Sequence, residues 1–170
     1  QLTVPENKRK MQTDTSELEN GQLAEQQLPS DFTLVVLAGG ASSRMGKEKS
    51  DLILDGQTFL ETQIRKGRQL GAKKILISGY RGELCSEEIV PDRIPGQGPL
   101  GGLESCFRKA ETAKCLVLGV DTPLLPMEEL RNLLKYTMEE ADKPVTMLCH
   151  NGKEESLMAV YDAGLYKQIT

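Results

Sequence analysis

The stretch Thr33-Leu-Val-Val-Leu-Ala38 carries no charge and breaks on Gly39-Gly40. A short, continuous, β-branched apolar run of this kind reads as a strand buried on both faces. Such a strand needs helices above and below it, and the sequence supplies them. Residues 58–70 place Phe59, Leu60, Ile64 and Leu70 at helical spacing, with Thr58 as N-cap and Gly71 as stop. Ile75-Leu-Ile-Ser78 and Glu88-Ile-Val-Pro91 read as strands. Pro99 to Glu111 reads as a helix with proline in its first turn. Cys115 to Val120 is another buried strand. Pro126 opens a helix with Met127, Leu130, Leu133, Leu134 and Met138 on one side. Val145–Cys149 and Leu157–Tyr161 are two further strands joined through Asn151-Gly152, a hairpin signal. The pattern predicts an α/β fold: a mostly parallel twisted sheet with helices on both faces and a late antiparallel hairpin.

Residues 1–31 stand apart. They hold no aromatic residue, whereas every Phe and Tyr lies from Phe32 onward. Their few apolar residues are scattered among Gln, Glu, Asn, Ser and Thr, too few to offset the entropy of ordering. Lys8-Arg9-Lys10 is soon followed by Asp14, Glu17 and Glu19, which favours a solvated tail or linker over a nucleic-acid arm. The folded unit is expected at 32–170.

Composition excludes several classes. With 21 Lys+Arg against 25 Asp+Glu, the formal net charge of the 170 residues is −4, so sequence-independent nucleic-acid binding is not expected. No apolar run approaches the roughly 18 residues of a membrane span, and no stretch of signal-peptide type opens the chain, which starts at Gln1. Cys85, Cys106, Cys115 and Cys149 make no C-x-x-C pair, and a reducing cytoplasm is the simplest compartment. His150, the single histidine, follows Cys149 on a strand, where neighbours face opposite sides; this pair reads as structural.

Ligands of such sheets bind beyond the carboxyl ends of the strands, and three loops there are unusual. Leu37 to Lys49 holds three glycines, a serine pair and the cations Arg44, Lys47 and Lys49. Small residues let backbone N–H groups approach a phosphate, and cations neutralise it. The loop narrowly misses the P-loop pattern: five residues separate Gly40 from Gly46, and Glu48 follows Lys47. Gly96-Gln-Gly-Pro-Leu-Gly101 satisfies G-x-G-x-x-G, but Asp92-Arg-Ile-Pro95 separates it from the strand and Pro99 removes an N–H donor. A turn and helix start is the better reading. Gly119-Val-Asp-Thr-Pro123 puts Asp121 at a strand's carboxyl end. Alone, this is equally a turn aspartate or a metal ligand; opposite a cationic glycine loop, binding of a divalent ion is favoured.

Together, L-A-G-G-x-S-x-R-M-G-x-[DE]-K, G-P-L-G-G-L and D-T-P resemble the nucleotidyltransferase superfamily with a Rossmann-like fold, and most closely the molybdenum cofactor guanylyltransferases. The resemblance covers residues 33 to about 162. It implies that Leu37, Ala38, Gly39 and Gly40 line a GTP site, that Lys49 and Asp92 contact the nucleotide, that Asp121 binds both Mg²⁺ and nucleotide, and that Arg44 lies near the phosphates. Ser78 stands where some members have an asparagine that contacts the nucleotide. Glu48 replaces the usual aspartate, Glu155-Ser-Leu replaces a common x-Pro-Leu, and the chain stops at Thr170, short of the family's final strand and helix, so an incomplete C-terminus is expected. The implied activity is transfer of GMP from GTP to the phosphate of the molybdopterin-type molybdenum cofactor, in the cytoplasm, with molybdoenzyme-maturation proteins as further partners. A cytidylyltransferase or sugar-phosphate nucleotidyltransferase is the runner-up. A non-catalytic nucleotide-binding module is the rival of another class, and the presence of Arg44, Lys49 and Asp121 speaks against it.

Overall fold

The computed structural model describes residues 31–39, 49–82, 86–94 and 96–169. Gly40, Arg44, Lys47, Glu48, Cys85 and the 1–30 segment lie outside the described residues. The principal sheet runs β5 (Glu88–Val90), β4 (Lys74–Ser78), β1 (Phe32–Leu37), β6 (Lys114–Gly119), β8 (Lys153–Asp162), β7 (Val145–His150) across its width. β1 pairs in parallel with β4 and with β6, and β4 with β5. β8 is antiparallel to both β6 and β7, forming the expected late hairpin.

β1 is central and buried along its whole length. Its side chains alternate between two cores. Leu34 and Val36 join Leu60, Ile64, Leu130 and Leu134 beneath α1 (Phe59–Gln69) and α3 (Met127–Glu139). Val35 and Leu37 join Leu103, Cys106 and Phe107 beneath α2 (Pro99–Lys109). Helices thus cover both faces, which is why β1 reads as an unbroken apolar run. Cys106 and Cys115 are fully buried, and burial pushes both thiols up to about 12, so they act as small core residues.

Local signals explain the helix ends. Thr58 caps α1 in a full capping box: its Oγ1 accepts from the Glu61 N–H at 3.1 Å, and Glu61 Oε2 accepts from the Thr58 N–H at 2.7 Å. Such a cap contributes about 1 kcal/mol. In α3 the buried stripe is Leu130, Leu133, Leu134 and Thr137, whereas Met138 is exposed. The expected stripe through Met138 is therefore corrected: the i, i+3, i+4, i+7 face falls on Thr137, whose hydroxyl donates to the Leu133 carbonyl at 2.8 Å. A two-strand hairpin, β2 (Ile53–Leu54) with β3 (Gln57–Thr58), turns on Asp55-Gly56, both with positive φ. This Asp-Gly turn signal was legible in the sequence, but strands of two residues are too short for a periodicity to show.

Candidate active site

The chain leaves β1 toward β4 and β5, then returns to place β6 on β1's other side. Strand order reverses between β1 and β6, and ligands of such sheets bind beyond the carboxyl ends of the strands at this switch point. Lys49, further along the chain from β1, meets Asp121, just past β6, there. Lys49 opens a 3₁₀ turn (Lys49–Asp51), and its Nζ lies 3.5 Å from Asp121 Oδ2. Both side chains are about half exposed, at 48 % and 50 %. An exposed pair of this kind contributes about 0–1 kcal/mol, so its interest lies in reach: one cation and one carboxylate face solvent together at the switch point.

At the end of β1 the surface is backbone. Leu37 and Ala38 are buried, and Gly39 is exposed above them. The N–H groups of Ala38 and Gly39 both donate to the Ser78 carbonyl, at 2.9 and 3.1 Å, tying the loop after β1 to the end of β4. Gly39 and Gly79 touch through their backbones. A Cβ on Gly39 would meet Gly79 Cα at 2.8 Å, and one on Gly79 would meet Gly39 Cα at 2.6 Å, with Gly79 also at φ +73°. Neither neighbour is a flexible side chain, so the contact requires glycine on both sides.

Ser78 and Asp92 form the opposite wall. Ser78 is buried, and its Oγ donates to Asp92 Oδ1 at 3.3 Å. Gly102 of G-P-L-G-G lets α2 close over this pair: a Cβ there would lie 2.2 Å from Ser78 Oγ and 3.4 Å from Asp92 Oδ1. Asp92 therefore sits against the first turn of α2, where a negative charge is favoured by the helix dipole. The literal G-x-G-x-x-G is a turn and a helix start: Gly96 and Gly98 have positive φ, and Pro99 occupies the first position of α2.

Two residues that sequence reasoning passed over complete the site from below. Gln63 of α1 is fully buried, and its Nε2 donates to the Gly119 carbonyl at 2.8 Å and the Thr122 carbonyl at 3.2 Å. Lys66, 6 % exposed, donates from Nζ to the carbonyls of Pro123 at 2.6 Å and Leu125 at 2.8 Å. Burial, helped by the neighbouring charge of Arg65, lowers its ammonium to about 8. The signal was available: Gln63 falls on the stripe of Leu60, Ile64 and Gly67, and a polar residue there must find buried partners.

Of the residues expected at the site, Leu37, Ala38, Gly39, Lys49, Ser78, Asp92 and Asp121 gather at the carboxyl edge of β1, β4, β5 and β6. Cys149 and His150 are exposed at the end of β7, in a different part of the sheet. Among the described residues no group of three His, Cys, Asp or Glu side chains could hold a metal on its own, and no helix is long and apolar enough to cross a membrane. A cavity of about 450 Å³ lies between α2 and β8, lined by Leu100, Leu103, Phe107, Leu157, Tyr161 and Leu165. Its apolar walls suit neither a triphosphate nor a metal.

Residues 34–170 match the family described as MobA-like NTP transferase domain. The chain is 35 % identical over 140 residues to the probable molybdenum cofactor guanylyltransferase of Carboxydothermus hydrogenoformans, an overlap of 82 % of this chain and 70 % of that protein. It is 44 % identical over 104 residues to the molybdenum cofactor guanylyltransferase of Xanthomonas euvesicatoria pv. vesicatoria, covering 61 % of this chain and 53 % of that one. The matches thus span from about half to about two thirds of these relatives. In fold, the chain is similar to molybdopterin-guanine dinucleotide biosynthesis protein A from Archaeoglobus fulgidus, with a TM-score of 0.65 at 23 % identity over 81 % of this chain and 70 % of the other.

Proposed function

The chain belongs to the MobA-like NTP transferase domain family, and on that premise we propose that it transfers GMP from GTP to the terminal phosphate of the molybdopterin-type molybdenum cofactor, releasing pyrophosphate. The observation that carries this reading is the meeting of Lys49 and Asp121 at the switch point between β1 and β6, 3.5 Å apart and open to solvent. The relatives named as molybdenum cofactor guanylyltransferases support the choice of base and acceptor.

The acceptor brings its own nucleophile. A phosphate oxygen, already anionic, attacks the α-phosphorus of GTP; a new P–O bond forms, the α–β bridge breaks, and pyrophosphate leaves with the electron pair. No proton need be removed from the attacking oxygen, and the described site offers no base aligned for it. Catalysis is then positioning plus neutralisation of charge.

The residues divide that work. Gly39, with no side chain above the tied backbone, lets a nucleotide approach the end of β1. Lys49 neutralises the triphosphate and, most strongly, the departing pyrophosphate. Asp121 would hold Mg²⁺, which supplies charge neutralisation at the phosphates. The site fits such an ion in one respect: a single half-exposed carboxylate suits a cation that takes most of its ligands from phosphate oxygens and water rather than from a protein cage. Asp92, hydrogen-bonded by Ser78 beside the first turn of α2, would contact the nucleotide from the other side.

Asp121→Asn tests the assignment. The side chain keeps its shape and loses its charge. Expected are an unchanged melting temperature without ligand and loss of most Mg²⁺-dependent pyrophosphate release. Near-normal turnover at saturating Mg²⁺ would remove Asp121 from the site.

A further inference from the structure

The turn that carries Asp121 has little main-chain support of its own. The N–H of Val120 still bonds to the Leu37 carbonyl at 3.0 Å, extending the β1–β6 register by one residue. Beyond it, the bonds within the turn are long: Thr122 N–H to the Gly119 carbonyl at 3.4 Å and Leu125 N–H to the Thr122 carbonyl at 3.3 Å. Such distances lie at the weak end of the hydrogen-bond range. The Thr122 hydroxyl donates to the Gly119 carbonyl at 3.0 Å, and the carbonyls of Gly119, Thr122, Pro123 and Leu125 all accept further bonds from one side, from Gln63 and Lys66.

Both donors sit one helical turn apart on the buried face of α1, and α1 is itself fixed by its capping box and by Leu60 and Ile64 in the core. A buried ammonium carries a desolvation cost that an apolar residue would avoid. Its two bonds, at 2.6 and 2.8 Å, are short and charge-assisted. The carboxylate that this turn presents folds back against Gly119: Asp121 Oδ1 lies 2.8 Å from where a Cβ on that glycine would stand.

We propose that Gln63 and Lys66 are positioning residues for Asp121: from beneath the sheet edge they hold the Gly119–Leu125 turn by its carbonyls, and so fix the carboxylate opposite Lys49 before nucleotide and metal arrive. The proposal rests on the reading that Asp121 binds the nucleotide's metal. It assigns catalytic consequence to two side chains that touch no reacting atom. Outer-shell partners that orient a ligating carboxylate typically change metal affinity by about 10- to 100-fold when lost, and that is the scale expected here.

The test compares Lys66→Met, Lys66→Arg and Asp121→Asn with wild type in the full chain. Calorimetry measures binding of GTP with Mg²⁺, Mg²⁺ is titrated in the pyrophosphate-release assay, and amide exchange is followed at residues 120–125. Lys66→Met should weaken Mg²⁺-dependent GTP binding by about 10-fold or more, raise the Mg²⁺ needed for half-maximal turnover, and speed exchange at residues 120–125. Lys66→Arg, which keeps a charged donor, should recover most of the binding. A Lys66→Met protein that melts earlier but binds and responds to Mg²⁺ like wild type overturns the proposal, because the lysine then serves the fold alone. Should Lys66→Met fail to fold, Gln63→Met takes its place with the same expected and overturning results, since it keeps a side chain of similar length and removes the Nε2 donations to the Gly119 and Thr122 carbonyls and to the Thr122 hydroxyl. Asp121→Asn separates the two readings: if that variant binds and turns over normally, the metal assignment itself is at fault.

Discussion

Two lysines show how one residue type serves opposite ends of the site. Lys49 is half exposed and pairs with a half-exposed Asp121, so its removal should leave the fold nearly untouched. In the proposed reaction its charge would matter most as pyrophosphate departs. Lys49→Ala is expected to lower turnover by roughly 10²-fold or more, the scale of losing one stabilising donor. The ligand-free melting temperature should stay put, while the stabilisation conferred by GTP with Mg²⁺ shrinks in a thermal-shift titration. Lys66 is the converse case. Its folded value of about 8 lies below the ordinary 10.5, so between those values the unfolded chain holds a proton that the folded chain has released. Stability contributed at this position therefore rises with pH across that window, and below about pH 8 the cost of burying the charge is fully present. Urea denaturation of wild type and Lys66→Met at several pH values checks the sign. The wild type should gain on the variant between pH 8 and 10.5; parallel profiles would contradict it.

At the scale of elements, the sequence was most legible where one physical rule acted alone. β1, β4 and β6 are buried on both faces, so their apolar runs are continuous, and Thr58, Pro99 and Pro126 mark helix starts through local chemistry. It was less legible where a long-range contact decided. β8 runs from Lys153, well before the expected Leu157, because its polar first half pairs with β7 through a register shift at Met147/Leu148. The polar partners of α1 could be suspected but not named, since Pro123 and Leu125 lie far along the chain. The same holds for Gly79. Gly39 stood inside a visible motif, while its backbone partner from the end of β4 belonged to none. Gly79→Ala should destabilise by about 1–3 kcal/mol, the cost of a non-glycine residue held at positive φ, with the 2.6 Å contact adding to it. Denaturant titration reads the loss, and weaker GTP binding should accompany it as Gly39 is pushed from its place. An unchanged midpoint would mean that the two loops separate freely.

For the whole molecule, the chain's path matters more than any single element. Four parallel strands built outward from β1 in two directions leave one switch point, between β1 and β6, and Gly39, Lys49 and Asp121 lie at its carboxyl edge. The site is legible because phosphate chemistry needs small residues and cations in one loop and a carboxylate in another, and both loops follow apolar runs. The acceptor end is less legible, since Glu155-Ser-Leu departs from the resembled pattern and the apolar cavity beside β8 has no counterpart in the motifs. The central claim concerns which nucleotide and which acceptor meet at this switch point. It is tested most directly by pyrophosphate release from each of the four nucleoside triphosphates with Mg²⁺, in the presence and absence of the molybdopterin-type cofactor. The account predicts rapid release with GTP only when that acceptor is present, and little with CTP, ATP or UTP. Release that prefers CTP, or that proceeds equally well without the acceptor, would contradict it.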